Sequence, residues 1–188
     1  MTLQEKEKNL SLYFKKLEEL GVPTAKLREK YEAKLLDASF TNSNDYGNAY
    51  DGSFLENILR VLTPYAVNIN EILPEDKKVD KDTLVKICLL HQVSKCVRLI
   101  PNDNAWEVEK RGMLYKYDPT LPSVRGGLHS LTMCQECGIN FTLEEVEAMV
   151  TNDRDLTDDQ YRWHSSILSS IVRQANELTY LTINSKTT

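Results

Sequence analysis

His91 stands in "LLHQVSK", an imidazole on an apolar run with an amide beside it and a Lys further along. An imidazole can ligate a metal or move a proton, but a lone His on an apolar helix face serves equally as a hydrogen-bonded core residue. Cys134 and Cys137 form a CxxC. A zinc centre requires two further ligands at suitable spacing. Cys88 and Cys96 make no second pair of that kind, and His129 is the imidazole that could join. These cysteines therefore read as small apolar side chains, reduced as in a cytoplasm-like compartment. Asp153, Asp155, Asp158 and Asp159 crowd "TNDRDLTDDQ". The alternate ligand spacing, mid-loop Gly and terminal bidentate Glu of a calcium loop are missing there, so the segment reads as a solvated acidic turn and helix start. Glu56 is a single carboxylate and gives no acid/base pair. Lys95, Arg98, Arg125 and Arg173 could supply cationic partners to phosphate, or be ordinary surface charges. "RGG" at 125–127 is too short for a phosphate loop, and no nucleophile motif is present.

The elements that must position these residues are helical nearly throughout. A first helix is expected over about residues 3–20, with Leu3, Leu10, Phe14 and Leu17 on one stripe and Gly21 and Pro23 ending it. Thr24 can cap a second, to about Asp37, carrying Leu27, Tyr31 and Leu35. "SFTNSNDYGNAYDGS" is a polar loop. Ser53 can cap a long helix through Phe54, Leu55, Ile58, Leu62, Tyr65 and Ile69, kinked at Pro64. Asp80 caps a helix over about 81–97. "WEVEKRGMLYKY", residues 106–117, alternates on both sides of Lys110–Gly112 and predicts a β-hairpin. A helix from about Ser123 to Cys137 stops at Gly138, and Thr142 with Glu145 makes a capping box for the next. The last helix is expected over about 158–181, with Tyr161, Ile167, Leu168, Ile171, Ala175 and Leu178 buried. The fold class is thus all-α, a helical bundle with one small β-hairpin. Residues 1–38 form an N-terminal helical hairpin, 50–181 the main domain, and 182–188 a frayed tail.

The chain's 188 residues suffice for one core. A net charge of −5 without a Lys/Arg block gives no signal for nucleic acid. No apolar run reaches the ~18 residues of a membrane span, and the charged, amphipathic N-terminus is not a signal peptide.

Three stretches carry a family resemblance. "DGSFLENILRV", residues 51–61, resembles the Gly-Gly-Leu-Leu-Glu-His-Thr-Leu-Arg-Val pattern of the HD-domain metal-dependent phosphohydrolases. "LLHQVSK" resembles their Leu-His-Asp-Ile-Gly-Lys, and "IVRQANELTYL", residues 171–181, their last helix, where Ala-Asp supplies the final ligand. The hairpin and "LHSLTMCQECGINFTLEEVEAMV" also look like the family's middle section. The resemblance covers about residues 50–181 and implies an HD-like helical bundle. Its metal ligands come from a His, a His-Asp pair and a distant Asp, positions that fall here on Asn57, His91, Gln92 and Asn176, with Lys95 retained. Three of the four are neutral amides. A divalent ion needs anionic oxygen or imidazole to offset its dehydration, and without the ion no water is acidified and no phosphoryl charge is clamped. No metal and no cofactor is therefore expected, and the chain reads as a catalytically inactive relic of the family. Its amides would pair with one another, with His91 or with trapped water.

Such a chain is expected to work as a binding or structural component. Trp106, Arg111, Tyr115 and Tyr117 are of the residue types that dominate protein interfaces, though they could instead pack the hairpin onto the bundle. The texture resembles HD-like proteins of tailed bacteriophages, which implies protein partners, either as a component of the virion or as an early protein in the host cytoplasm. Alternatively, the pocket still binds, and sequesters, a nucleotide through Lys95, Arg98, Arg125 and Arg173. A phosphohydrolase with residual activity is the remaining alternative.

Overall fold

Thr2 opens the first helix with a reciprocal cap: its side chain accepts from Glu5 N, and the Glu5 carboxylate accepts from Thr2 N. The computed structural model describes residues 1–44, 48–151 and 165–184. Its elements in order are α1 (Leu3–Glu19), α2 (Ala25–Asp37), α3 (Ser53–Asn57), α4 (Thr63–Glu71), α5 (Lys81–Leu90), α6 (Lys95–Arg98), β1 (Leu99–Pro101), α7 (Ala105–Arg111), β2 (Tyr115–Tyr117), α8 (Gly126–Glu136), α9 (Leu143–Thr151) and α10 (Ile167–Asn184). The chain is mostly helical, with a single two-stranded antiparallel sheet among the described residues.

One apolar cluster runs through the bundle. Leu10, Phe14 and Leu17 of α1 and Leu27 and Leu35 of α2 bury their side chains in it beside Phe54, Leu84, Ile87, Met149, Leu168 and Val172. Each large side chain so buried contributes about 1.5–3 kcal/mol. Tyr13 lies in the same core and donates a 3.2 Å hydrogen bond to Leu89 O of α5. The N-terminal helical pair thus shares its core with the rest of the bundle. α10 packs against α9 and α4, and α8 against α9. At the start of α8 the approach is close: a Cβ on Gly127 would lie 2.1 Å from Met149 O.

Several expected boundaries shift, each for a local reason. The helix expected over 81–97 ends at Leu90. The His91 ring nitrogen Nδ1 lies 3.1 Å from both Ile87 O and Cys88 O, so its N–H occupies a carbonyl that a continuing helix would offer to Gln92 N–H. The chain then tightens into turns in which Val93, Lys95 and Cys96 N–H donate three residues back. Pro64, where a kink is expected, stands in the first turn of α4. A π-helical turn, Ile58–Leu62, precedes α4, and Thr63 N donates to Ile58 O across it. The wider turn accommodates the proline, which lacks an N–H and excludes the carbonyl four residues back. Ser53 is not the cap of α3: Gly52 is, at φ +84°, while Ser53 Oγ accepts from Phe40 N at 2.9 Å. Thr24 is the N-cap residue of α2, but its side chain makes no capping bond: its hydroxyl donates to Glu18 at 2.9 Å. Asp80 caps α5, Thr142 and Glu145 form their box, and Gly138 follows α8 at φ +83°.

The hairpin expected at 106–117 is displaced. Its arms are Leu99–Pro101 and Tyr115–Tyr117, in register Leu99 with Tyr117 and Pro101 with Tyr115, and helix α7 fills the connection. Asn104 caps α7 through Oδ1, accepting from Trp106 N and Glu107 N, and Gly112 ends it at φ +60°. Leu3, Ile167 and Leu178, expected in the buried stripes, are exposed. On α10 the expected Leu168, Ile171 and Ala175 are buried, joined by Val172. Tyr161 and the cluster Asp153, Asp155, Asp158 and Asp159 lie outside the described residues, as do residues 185–188 of the expected tail. No described helix is long and apolar enough to cross a membrane.

Candidate functional site: a cationic pocket floored by two amides

The turn after α5 carries Gln92, Ser94 and Lys95 away from the helix axis and toward α8 and α10. Two serines fix it there. Ser94 N donates to Ser130 Oγ at 3.0 Å, Ser130 Oγ donates to Ser94 Oγ at 2.9 Å, and Ser94 Oγ donates to Gly126 O at 2.9 Å. This junction holds the N-terminus of α8, and with it Arg125, against the turn that carries Lys95 and Arg98. On α10, Asn176 and Tyr180 are one helical turn apart and so share a face. The loop after α2 adds Phe40, held by Ser53.

These pieces enclose a cavity of about 760 Å³. Gln92, Asn176, Lys95, Arg98, Arg125 and Tyr117 line it, with Phe40, Tyr180, Ser94 and their neighbours. The described lining holds three cations and no carboxylate, in a chain whose net charge is −5. Burial falls from floor to rim: Gln92 is 6% and Asn176 9% exposed, Lys95 and Arg98 are half-buried, and Arg125 is exposed.

At the floor, Gln92 Nε2 donates to Asn176 Oδ1 at 2.6 Å. Gln92 Oε1 is buried and has no hydrogen-bond partner among the described residues. Lys95 Nζ donates to Phe40 O at 2.7 Å and to Tyr180 OH at 2.9 Å, and lies 3.9 Å from the Phe40 ring centroid. The Phe40 and Tyr180 rings are 5.2 Å apart, so the cation is set in an aromatic corner. The Arg98 guanidinium is 5.4 Å from the Tyr117 ring centroid. His129, one turn into α8, has its pKa lowered by burial first and by the nearby Arg98 charge second.

The positions that the HD resemblance assigns to metal ligands divide here. Gln92 and Asn176 meet directly. His91 is buried next to Gln92 in the chain, with Nδ1 turned to the carbonyls of its own helix. Asn57 is buried on α3 and does not line the cavity; its Nδ2 donates to Ser53 O at 2.7 Å, and its Oδ1 accepts from Asn48 Nδ2 at 2.8 Å. As a metal set these residues do not fit. The oxygens of Asn57 and Asn176 already accept amide N–H groups, no carboxylate is among the four, and the described residues contain no group of three or more His, Cys, Asp or Glu that could hold an ion.

Of the other expected residues, Arg173 does not line the cavity. Trp106 is 61% exposed on α7, and Arg111 pairs with Glu107 of the same helix at 3.8 Å. Tyr117 is 62% exposed. Tyr115, expected at an interface, is a core residue: it is 7% exposed, in a small cluster with Ala49 and Leu99, and its hydroxyl donates to Asp51 at 2.5 Å. The cysteines are all buried, and burial pushes the Cys96 thiol up to about 12 and raises Cys88 and Cys134 further. Such thiols are poor nucleophiles and poor metal ligands. Sequence reading missed Phe40, Tyr180 and Ser94. Tyr180 was findable from its helical spacing to Asn176, and Ser94 from its place between Gln92 and Lys95. Phe40, one of three aromatics in the polar stretch 39–53, carried no signal that set it apart.

No protein-family model matches the chain, and no curated protein or solved structure matches it significantly.

Proposed function

We propose that this chain is a catalytically inactive HD-like binding protein that holds a small phosphorylated molecule, foremost a nucleotide, without cleaving it. The observation that carries this reading is the convergence of Lys95, Arg98 and Arg125 on one cavity whose described lining has no carboxylate. Guanidinium and ammonium groups give phosphate its strongest hydrogen bonds, and arginine matches it in bidentate fashion. The Phe40 and Tyr180 rings provide an apolar wall for the organic part. A volume of about 760 Å³ falls within the usual range for small-molecule sites. Hydrolysis would require an activated water, and the described lining offers neither carboxylate nor imidazole to activate one. The same logic disfavours a residual phosphohydrolase. If the chain is of tailed-phage type, sequestering a nucleotide in the host cytoplasm fits this pocket better than a purely structural place in a virion.

The test is thermal unfolding across a panel of nucleotides and sugar phosphates, with and without Mn²⁺. A ligand of the native state raises the midpoint, by an amount corresponding to about 2.7 kcal/mol at a hundredfold excess over Kd. The expected result is a rise with one or more phosphorylated ligands, independent of Mn²⁺. A protein-partner reading has its own support in the exposed Trp106. It predicts that Trp106→Ala abolishes co-purification of a partner while leaving any ligand-induced rise intact.

A further inference from the structure

We infer that Tyr117 selects the ligand: the pocket takes phosphate monoesters that carry a planar aromatic group, as a nucleoside monophosphate does, and that group stacks on the Tyr117 ring. This rests on the anion-binding reading above and adds a second point of recognition to it.

The aromatic side chains that line the cavity differ in their access to solvent. Phe40 is buried and Tyr180 half-buried, whereas Tyr117 is 62% exposed. A single exposed aromatic is ordinary on a protein surface. What sets this one apart is its place. Residues 115 and 117 project from the same face of β2. Tyr115 is covered there, packed with Ala49 and Leu99, and the cover has ended by Tyr117, which borders the cavity. The backbone also fixes the ring relative to positive charge. Tyr117 pairs with Leu99 across the sheet, and Asp118 N donates to Arg98 O at 2.9 Å, so Arg98 and Tyr117 are held side by side on one ladder. The Arg98 guanidinium lies 5.4 Å from the Tyr117 ring centroid. A phosphate held by Arg98 therefore has an accessible aromatic ring beside it, positioned by paired strands. Nucleobases stack on such rings whatever their hydrogen-bonding edge, and a neighbouring guanidinium extends the platform. A sugar phosphate has no planar group to offer that ring. A nucleotide carries base and phosphate on one ribose, so that either contact raises the effective concentration for the other.

The experiment compares adenosine monophosphate with ribose 5-phosphate, which keeps ribose and phosphate and lacks the base, by calorimetric titration into the full chain. The wild-type chain is expected to bind the nucleotide about tenfold tighter. Tyr117→Val removes the ring and keeps a residue suited to a strand, and it is expected to bring the two ligands to equal affinity. Tyr117→Leu is a second ringless variant and gives the same readout if the first folds poorly. Tyr117→Phe keeps the ring without its hydroxyl and is expected to retain the preference. Uridine monophosphate and its 5,6-dihydro form, titrated into the wild-type chain, test stacking with no substitution, because reduction of the base removes its planarity and keeps its hydrogen-bonding edge; the planar form is expected to bind tighter. Equal binding of either pair by the wild-type chain, a preference that survives in the ringless variants, or a preference lost in Tyr117→Phe overturns the inference while leaving the anion site standing. Binding of none of these phosphates removes the anion reading and this inference with it.

Discussion

Gln92 and Asn176, 84 residues apart in the chain, are joined side chain to side chain by a 2.6 Å hydrogen bond in the buried floor of the pocket. The bond ties the turn after α5 to the last helix, and each amide depends on the other for a partner. Asn176→Leu strands the Gln92 amide and is expected to cost about 1–3 kcal/mol in urea unfolding. Removing both polar groups in Gln92→Met/Asn176→Leu should cost less than the sum of the single changes, because no amide is then left unpaired. Strict additivity would show that the two side chains do not depend on one another.

Gln92→Asp introduces at one position the residue type that the HD pattern carries there. The donor set remains deficient, since Asn57 and Asn176 are still neutral amides whose oxygens accept N–H groups. The variant is expected to bind no stoichiometric transition metal by elemental analysis. It should also be less stable than wild type, because the carboxylate is buried. Burial raises a carboxylate's folded-state pKa above its unfolded value of about 3.9, so the deficit should open as pH rises through that value. A variant that gains metal and activity would contradict this.

Gly127 sets the contact between α8 and α9. An added Cβ would meet Met149 O at 2.1 Å, and backbone cannot move aside as a flexible side chain can. Gly127→Ala is expected to lose about 3 kcal/mol or more. Because Gly126 and Arg125 sit at the same helix start, it should also weaken ligand binding. Gly138→Ala is a useful control: nothing lies within 4 Å of its Cβ, and its cost comes from the positive φ alone.

His129 supplies a pH dependence. Its folded-state pKa lies below the ordinary value near 6.5, through burial and then the Arg98 charge. The unfolded chain therefore binds the proton more readily than the folded one. Stability is fully present above the unfolded value and declines as pH falls below it toward the folded value. His129→Gln should flatten the acid side of the stability curve relative to wild type, measured by unfolding midpoints between about pH 5 and pH 8. Superimposable slopes for the two proteins would show that His129 does not contribute.

The helical class was legible because apolar spacing and end signals agreed. Asp80, the Thr142 and Glu145 pair and Gly138 act as expected. The hairpin was misplaced because Trp106 and Val108 alternate with acidic residues, which imitates a strand. The decisive signals were Asn104 as a cap and the Glu107–Arg111 spacing, and these compete with period-two alternation over so short a segment. The early end of α5 follows from the His91 ring reaching its own helix carbonyls, an interaction invisible to periodicity. Leu3, Ile167 and Leu178 are exposed although they are apolar and helically spaced, because spacing assigns a face but not the neighbour that covers it. For the pocket, Lys95, Arg98, Arg125, Gln92 and Asn176 could be named from the sequence. Phe40 could not be placed, because it reaches the site through a loop held by the tertiary contact to Ser53.

The central claim is that Lys95, Arg98 and Arg125 form an anion site that binds without cleaving. Its most direct test is a calorimetric titration of adenosine monophosphate into the wild-type chain and into Arg98→Ala/Arg125→Ala, at low and high salt, with the nucleotide recovered and analysed afterwards. One saturable site is expected, weakened at least tenfold by the double change and weakened by salt, with the nucleotide recovered intact in the presence of Mn²⁺. Absence of binding at millimolar nucleotide, affinity indifferent to the two arginines, or conversion of the nucleotide that Asn176→Ala abolishes would contradict it.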